Sequence, residues 1–230
     1  MSPQALILSG VRTPIGSLNG ALASVPAPEL GSLCIQEALK RAGVGPEEVE
    51  EVILGNVLGA GIGQNPARQA SLGAGLPASV GATTVNKVCG SGLKAVMLAA
   101  QAIRLGDAHL VLAGGMESMS RAPYLLTKAR QGYRMGHAEV LDAMIHDGLW
   151  DVYGNRHMGV YGDRCAQKYG FTRDEQDDFA VRSYARARKA IAAGVFEEEI
   201  VPVPTTQNAQ STVVREDQEP ARFVEEKLRG

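Results

Sequence analysis

The stretch at residues 82–115, ATTVNKVCGSGLKAVMLAAQAIRLGDAHLVLAGG, holds the pattern that decides the fold. It opens with the β-branched run 82–88, which predicts a strand, and it closes with the apolar run 108–115, which predicts another. Between them, 91–106 has apolar residues at helical spacing. A helix that connects two such strands is typical of a parallel βαβ unit.

The predicted helix at 91–106 is apolar on nearly every side. Its strongly polar residues are Lys94, Gln101 and Arg104. Because a helix that is apolar all round is normally buried, we expect other elements to cover this one on two sides.

Elements of the same kind alternate upstream of this stretch. We predict a strand at 4–10, a helix at 27–43, a strand at 49–57 and a short helix after Pro66. The order β-α-β-α-β-α-β up to residue 115 predicts an α/β layered domain with a largely parallel sheet.

The texture changes after residue 115. The segment 116–159 is rich in Met, His, Tyr and Gly without a clean period, which is typical of a loop-built insertion that carries binding residues. Thr172 and Glu175 form a capping-box pattern that predicts a helix at 173–193. The prolines in 198–204 restrict that run to an edge strand.

The bulk composition bounds the function classes. The chain has 230 residues, of which 45% are hydrophobic and 21% charged, with a formal net charge of −2. Without a long basic run, we expect no nucleic-acid partner. Without a signal-peptide pattern or an apolar run of about 18 residues, we expect no membrane association and a cytoplasmic location.

The three cysteines, Cys34, Cys89 and Cys165, are odd in number and far apart. That arrangement fits free thiols in a reducing compartment better than a disulfide framework, and we interpret Cys34 and Cys165 as packing residues. Neither a CxxC nor an HxxxH pair is present, so we predict no metal site.

Cys89 stands between a predicted strand and the first turn of a predicted helix. The positive end of a helix favours the thiolate form of a cysteine, which is the nucleophile. The glycines Gly90 and Gly92 leave room for an approaching acyl group and expose N–H donors for a developing negative charge. The residues alone leave two alternatives open: Cys89 is a nucleophile, or it is an inert thiol packed at a tight turn.

Several other candidates keep ordinary structural interpretations. The run GAGIGQ at 59–64 does not fit a dinucleotide-binding loop, because Gln64 stands where the pattern needs glycine. Met116 and Met119 are equally consistent with cavity lining and core filling. We interpret Glu117 as a capping residue or a titrating group, and His109 as structural.

Five blocks of this sequence resemble the thiolase family. The longest is NKVCGSGLKAVMLAAQAIRLGDAHLVLAGGMESMS at 86–120. The others follow in the same order as in that family: VRTPIGSLNGAL, GNVLGAGIGQNPARQA, DGLWDVYGNRHMG and TRDEQDDFAVRS. The resemblance covers essentially the whole chain.

The resemblance implies a fold of two βαβαβαββ halves stacked in five layers. Residues 1–118 would form the core of the first half, and 119–230 would form a loop domain that covers the coenzyme A site. The helix at 91–106 resembles the middle helical layer of that fold. The loop at 59–64 resembles a subunit-contact segment, and the resemblance implies a homodimer or a homotetramer.

The resemblance also implies an acyl-CoA C-acyltransferase of fatty acid metabolism, one that makes or cleaves acetoacetyl-CoA. Cys89 would carry the acyl group as a thioester. Leu149 and His157 would contact coenzyme A, and Met158 would line a short acyl pocket. Coenzyme A thioester is the substrate, and no bound cofactor or metal is implied.

Three further thiolase blocks do not occur in these 230 residues: Asn-Glu-Ala-Phe, Gly-His-Pro and Cys-Gly-Gly-Gly. The family's activating His and second Cys belong to the last two. We therefore expect this chain to be an amino-terminal piece that is inactive by itself. Two alternatives remain: a non-catalytic folding or assembly unit, and another condensing enzyme such as a ketoacyl synthase.

Overall fold

A computed structural model describes residues 4–207 and 210–230 of the chain. Residues 1–3 and 208–209, which fall within the predicted ranges 1–118 and 119–230, lie outside the described residues.

A three-stranded parallel sheet forms the centre of the fold. It consists of β1 (Glu51–Gly55), β2 (Gly81–Val85) and β3 (Val111–Gly115), in the order β2-β1-β3. Both neighbours pair with β1 in register, so that Glu51 lies opposite Gly81 on one side and opposite Val111 on the other. The α/β layered fold and the parallel sheet are thus confirmed.

Helices cover both faces of the sheet. Helices α1 (Ala27–Ala42) and α2 (Pro66–Gly73) pack on one face. There Val52 and Leu54 join the main apolar core. Helix α3 (Ser91–Leu105) lies on the other face, because strand residues alternate in direction and Gly55 points toward it. The connection from β1 to β2 moves to one side of the sheet, and the connection from β2 to β3 moves back past β1 to the other side. Because both connections are right-handed, α2 and α3 lie on opposite faces.

The structure differs from the expectation that α3 is covered on two sides. Its buried residues are Ser91, Ala95 and Ala99, which form one narrow stripe against the sheet. Leu93 is 69% exposed and Leu105 is 77% exposed. Within the described residues, only the sheet covers this helix, and its outer face has no partner.

The segment Val88–Leu105 meets the length and composition of a candidate membrane span, with a mean hydropathy of 1.2 over 18 residues. A core helix of a soluble protein satisfies the same criteria, so the expectation of no membrane association stays a prediction. The segment includes Lys94 and Arg104. The 15-residue helix within it rises only about 22 Å, short of a hydrocarbon core of about 30 Å.

The predicted buried strand at 4–10 was wrong. These residues form no strand, and Leu6, Ile7 and Leu8 are all exposed. An apolar run becomes a strand only when another strand offers it hydrogen bonds, and none of the described residues does so. Within the described part of the chain, the nearest pairing is a parallel bridge from Arg12 to Ile200.

After β3 the chain forms short paired segments and then two longer helices. A 3-10 turn (Met119–Arg121) comes first, and a π-helical segment (Met144–Leu149) lies between the two hairpins. The hairpins are β4 (Tyr124–Leu125) with β5 (Leu141–Asp142), and β6 (Trp150–Asp151) with β7 (Arg156–His157). The helices are α4 (Gly159–Tyr169) and α5 (Arg173–Ala192). The capping box of Thr172 and Glu175 is confirmed at the start of α5.

The last part of the chain folds back onto its first part. Strands β8 (Val203–Gln207) and β9 (Gln210–Val214) form a hairpin, followed by α6 (Gln218–Arg222) and α7 (Glu225–Arg229). The predicted strand at 198–204 thus begins later than expected. Val203 is fully buried in a second apolar cluster with Leu22, Val25 and Leu30. The division at residue 118 stays a prediction.

Candidate functional site

Cys89 lies in the turn that connects β2 to α3, at the carboxyl end of the sheet. Its side chain is exposed and its thiol is free. In open parallel sheets, ligands bind at this edge, at the topological switch point where the strand order reverses. The position predicted from sequence, between a strand and a helix N-terminus, is therefore confirmed.

The turn before Cys89 has an unusual backbone. Val88 has a φ of +49°, in the left-handed region. The Asn86 side-chain oxygen accepts a hydrogen bond from the Val88 N–H at 2.9 Å. The Gly90 N–H donates to the Lys87 carbonyl oxygen at 3.1 Å. These bonds close a tight turn that directs the backbone toward α3.

Ser91, the first residue of α3, is buried beneath this turn. Its hydroxyl accepts from the Lys87 N–H at 2.8 Å and donates to the Val88 carbonyl oxygen at 2.5 Å. Sequence reasoning did not identify this residue. The signal was available in the small polar side chain between two glycines, where a packed helix start needs a short hydrogen-bonding group.

The start of α3 approaches the sheet closely because glycines face each other there. A Cβ on Gly55 would lie 2.6 Å from the Ser91 carbonyl carbon. A Cβ on Gly115 would lie 3.2 Å from the Gly92 Cα. Glycine at these positions thus lets the helix start rest against the ends of β1 and β3.

The predicted roles of Gly90 and Gly92 in acyl binding stay a prediction. Both lie in the turn and the first helical turn, as expected. However, the Gly90 N–H is already bonded to Lys87 within the turn, so it differs from the expected free donor for an oxyanion. Gly92 faces Gly115, so the missing side chain serves helix–sheet packing.

Glu117 follows β3 and binds the loop after β1. Its carboxylate accepts from the Asn56 side-chain amide and from the Val57 N–H, both at 2.8 Å. It also accepts a longer bond from the Leu58 N–H at 3.3 Å. Glu117 therefore joins the carboxyl ends of β1 and β3. Met116 beside it is a core residue, which resolves the alternative left open for that methionine, whereas Met119 is 39% exposed.

The structure brings together Leu149, His157 and Met158. The β6–β7 hairpin pairs Trp150 with His157, and the Met158 N–H donates to the Leu149 carbonyl oxygen at 2.9 Å. The side chains of His157 and Met158 are exposed, while Leu149 is half-buried. Their adjacency to one another is what a shared binding surface requires.

This hairpin is fastened by Asp151. Its carboxylate accepts from the backbone N–H groups of Tyr153 and Gly154 and from the Tyr161 hydroxyl on α4. The Tyr161 hydrogen bond holds the pKa of Asp151 below its usual range, with smaller contributions from the two N–H groups and Arg156. The same bond raises the pKa of Tyr161. The contact therefore fixes the hairpin to the helix that follows it.

The remaining candidates lie apart from Cys89. Cys34 is half-buried in α1, and burial raises the pKa of its thiol. Cys165 is exposed on α4, so its interpretation as a packing residue was wrong. His109 contacts Glu50 at 3.2 Å through its ring. Among residues 4–207 and 210–230, no group of three or more His, Cys, Asp or Glu side chains is placed to hold a metal ion.

Comparison with known proteins identifies the class. Residues 5–230 match the family described as thiolase, N-terminal domain. The chain therefore belongs to the thiolase family, which confirms the resemblance seen in the residues around Cys89.

Named relatives narrow the similarity. The chain is 60% identical over 198 residues to the acetyl-CoA acetyltransferase of Cupriavidus necator. This alignment covers 86% of this chain and 50% of that protein. It is 53% identical over 232 residues to acetyl-CoA acetyltransferase 2 of Arabidopsis thaliana, covering 100% and 58%. It is 52% identical over 215 residues to the probable acetyl-CoA acetyltransferase of Escherichia coli, covering 94% and 55%. The chain spans about half the length of the curated relatives that it matches.

Proposed function

We propose that this chain carries the nucleophile of an acyl-CoA C-acyltransferase, which transfers an acetyl group between a Cys89 thioester and coenzyme A. The observation that carries the proposal is the exposed free thiol of Cys89 at the carboxyl edge of the sheet, directly before α3. The names of the relatives, acetyl-CoA acetyltransferase, support the substrate class.

The first step is an acyl transfer between two sulfurs. The Cys89 thiolate adds to the carbonyl carbon of the acetyl thioester and forms the new carbon–sulfur bond. The bond between that carbon and the coenzyme A sulfur then breaks, and coenzyme A leaves as a thiolate that takes up a proton. In the second step, coenzyme A attacks the Cys89 thioester, or a second acetyl-CoA loses an α-proton to the Cys of the family's Cys-Gly-Gly-Gly segment and its carbanion attacks. Either attack breaks the bond between the acetyl carbon and the Cys89 sulfur and releases Cys89 as a thiolate.

The proton acceptor for Cys89 belongs to a Gly-His-Pro segment in the thiolase resemblance, and these 230 residues do not contain that segment. We therefore propose that this chain supplies the nucleophile and part of the substrate surface, and that acyl loading here depends on the turn around Cys89.

We propose that Leu149, His157 and Met158 bind the coenzyme A thioester. Their support is their adjacency at the base of the β6–β7 hairpin, where one backbone hydrogen bond joins Leu149 to Met158. The thiolase resemblance places Met158 beside a short acyl pocket, which favours a small acyl group over a long chain.

The wider setting completes the proposal. The enzyme acts in the cytoplasm in fatty acid metabolism, as a homodimer or homotetramer, and uses coenzyme A thioester as substrate without a bound cofactor. The free thiols of the chain are consistent with a reducing compartment.

The test is acetyl loading, the half-reaction that needs only the Cys89 thiolate. The complete reaction, for which we expect this chain to be inactive, also needs the family's activating His and second Cys. The purified protein is incubated with acetyl-CoA, quenched in acid and digested, and the Cys89 peptide is examined by mass spectrometry. We expect one acetyl group on this peptide and none in the Cys89→Ala variant. Cys165→Ala is the matched control, because it removes an exposed thiol elsewhere and is expected to load normally. A folded protein whose Cys89 stays free at saturating acetyl-CoA would contradict the proposal and favour a folding or assembly unit.

A further inference from the structure

Val88 stands out among the left-handed residues of this chain. The other non-glycine residues with positive φ in the described part of the chain are three asparagines, Asn19, Asn65 and Asn155. Asparagine tolerates that conformation, whereas a β-branched side chain does so only under constraint. Something in the surrounding structure must therefore hold Val88 in place.

Two side chains hold Val88: Asn86, whose oxygen accepts from the Val88 N–H, and Ser91, whose hydroxyl binds the turn from below. Ser91 is only 4% exposed, and its side-chain oxygen bridges the Lys87 N–H and the Val88 carbonyl oxygen. The Ser91 N–H donates to the same Val88 oxygen at 3.1 Å. Ser91 thus makes three bonds to the two residues that precede Cys89.

This is not ordinary helix capping. A capping serine stands just before the helix and accepts from an N–H two or three residues later. Ser91 lies inside the first turn, its hydroxyl faces back toward 87 and 88, and Gly90 at the cap position supplies no side-chain bond. The hydroxyl therefore stabilises the turn and not the helix.

We propose that Ser91 is a positioning residue for Cys89, because its buried hydroxyl helps to hold Val88 left-handed and so presents the thiol outward at the helix start. The inference rests on the proposed function for its catalytic meaning. Without the hydroxyl, the Lys87 N–H loses its partner and Val88 relaxes toward negative φ. Cys89, the next residue, then moves away from the reacting position.

The test follows alkylation of individual cysteines by iodoacetamide, measured by peptide mass spectrometry. Cys165 on α4 serves as the internal reference in the same sample. We expect Ser91→Ala to slow alkylation of Cys89 about tenfold relative to Cys165, since a thiol that leaves its exposed position at the helix start is less accessible to the reagent. Adding Val88→Gly to Ser91→Ala is expected to restore the rate to within about threefold of wild type, because glycine adopts positive φ without strain.

The matched control is Ser71→Ala. Ser71 is also fully buried, in α2, and its hydroxyl has no hydrogen-bond partner within the described structure. It is expected to leave the Cys89 rate unchanged. An unchanged Cys89 rate in Ser91→Ala, or a loss that Val88→Gly does not reverse, would overturn the inference. If Ser91→Ala does not fold, the double variant Ser91→Ala with Val88→Gly is measured in its place. Failure of the double variant to fold would also overturn the inference.

The outcome separates the two proposals. Alkylation needs no acyl transfer, so a Cys89 that takes no acetyl group but still depends on Ser91 sinks the proposed function and leaves the positioning role intact. Normal acetyl loading in Ser91→Ala would overturn the positioning role of Ser91 and leave the proposed function intact.

Discussion

Gly55 and Ser91 meet where β1 ends and α3 begins. A Cβ on Gly55 would lie 2.6 Å from both the carbonyl carbon and the Cβ of Ser91. The absence of a side chain at Gly55 therefore sets how closely α3 approaches the sheet, and with it the position of the Cys89 turn.

Gly55→Ala is expected to destabilise the protein by about 1–3 kcal/mol, because the new methyl group overpacks against backbone that cannot move aside as a side chain can. Urea unfolding measures the change. Gly81→Ala in the neighbouring strand is the control, since a Cβ there meets open space. Equal unfolding midpoints for the two variants would show that α3 is not seated on Gly55.

Glu117→Gln is expected to lower the free energy of unfolding by about 1–3 kcal/mol. The amide keeps only one acceptor oxygen, while the carboxylate binds the Asn56 amide with one oxygen and the Val57 N–H with the other. The same unfolding assay applies, with exposed Glu226→Gln as the matched control. A wild-type midpoint in Glu117→Gln would mean that the loop after β1 is held by other contacts.

The contact between Arg12 and Asp217 predicts a pH dependence. The two side chains form a double hydrogen bond at 2.7 and 2.9 Å. Burial alone would raise the pKa of Asp217, but the Arg12 guanidinium and the Ile15 N–H together lower it below its ordinary value. A lowered folded-state pKa stabilises the protein above the unfolded value, and this contribution is lost as the pH falls through the folded value.

The stabilisation from Asp217 is therefore expected to be complete above about pH 4 and to decline below it. Urea unfolding of wild type and Asp217→Asn across this range measures the contribution as the difference between their stabilities. We expect that difference to shrink on acidification. A difference that stays constant from neutral to acid pH would show that the Asp217 charge does not stabilise this contact.

Tyr161→Phe is expected to loosen the β6–β7 hairpin without unfolding the protein, because it removes the hydroxyl bond to Asp151 and little else. Hydrogen exchange at the backbone amides of Gly154 and Met158 should become faster, while exchange in β1 stays at the wild-type rate. Tyr153→Phe serves as the control, since that side chain is 97% exposed. Similar protection in both variants would place the anchor of the hairpin elsewhere.

Local patterns predicted the elements whose causes are local. Helix α1 ends at Gly43, which is left-handed with a φ of +67°, as a glycine after a basic last turn indicates. The capping box at Thr172 marks the start of α5, and the β-branched run at 82–88 overlaps β2 (Gly81–Val85). These signals lie within one or two turns of the chain, so one sequence suffices to read them.

Features that need a distant partner escaped prediction. The apolar run at 4–10 is a strand by composition only, because strand formation depends on a neighbour that the residues themselves do not reveal. The bond from Glu117 to the loop after β1 joins residues about sixty positions apart, which no local pattern records. The left-handed Val88 depends on the Ser91 hydroxyl, and valine by itself argues against that conformation.

Helix α3 contacts the sheet through a narrow stripe of small residues, and Cys89 lies directly before its N-terminus. Ala95 and Ala99 lie about 6 and 12 Å along the axis from Ser91, and both touch the sheet through a single methyl group. A larger side chain at either position pushes α3 away from the sheet, and the Cys89 turn at its N-terminus moves with the helix. The position of the Cys89 sulfur is thus set partly by side-chain volume at positions up to two helical turns away.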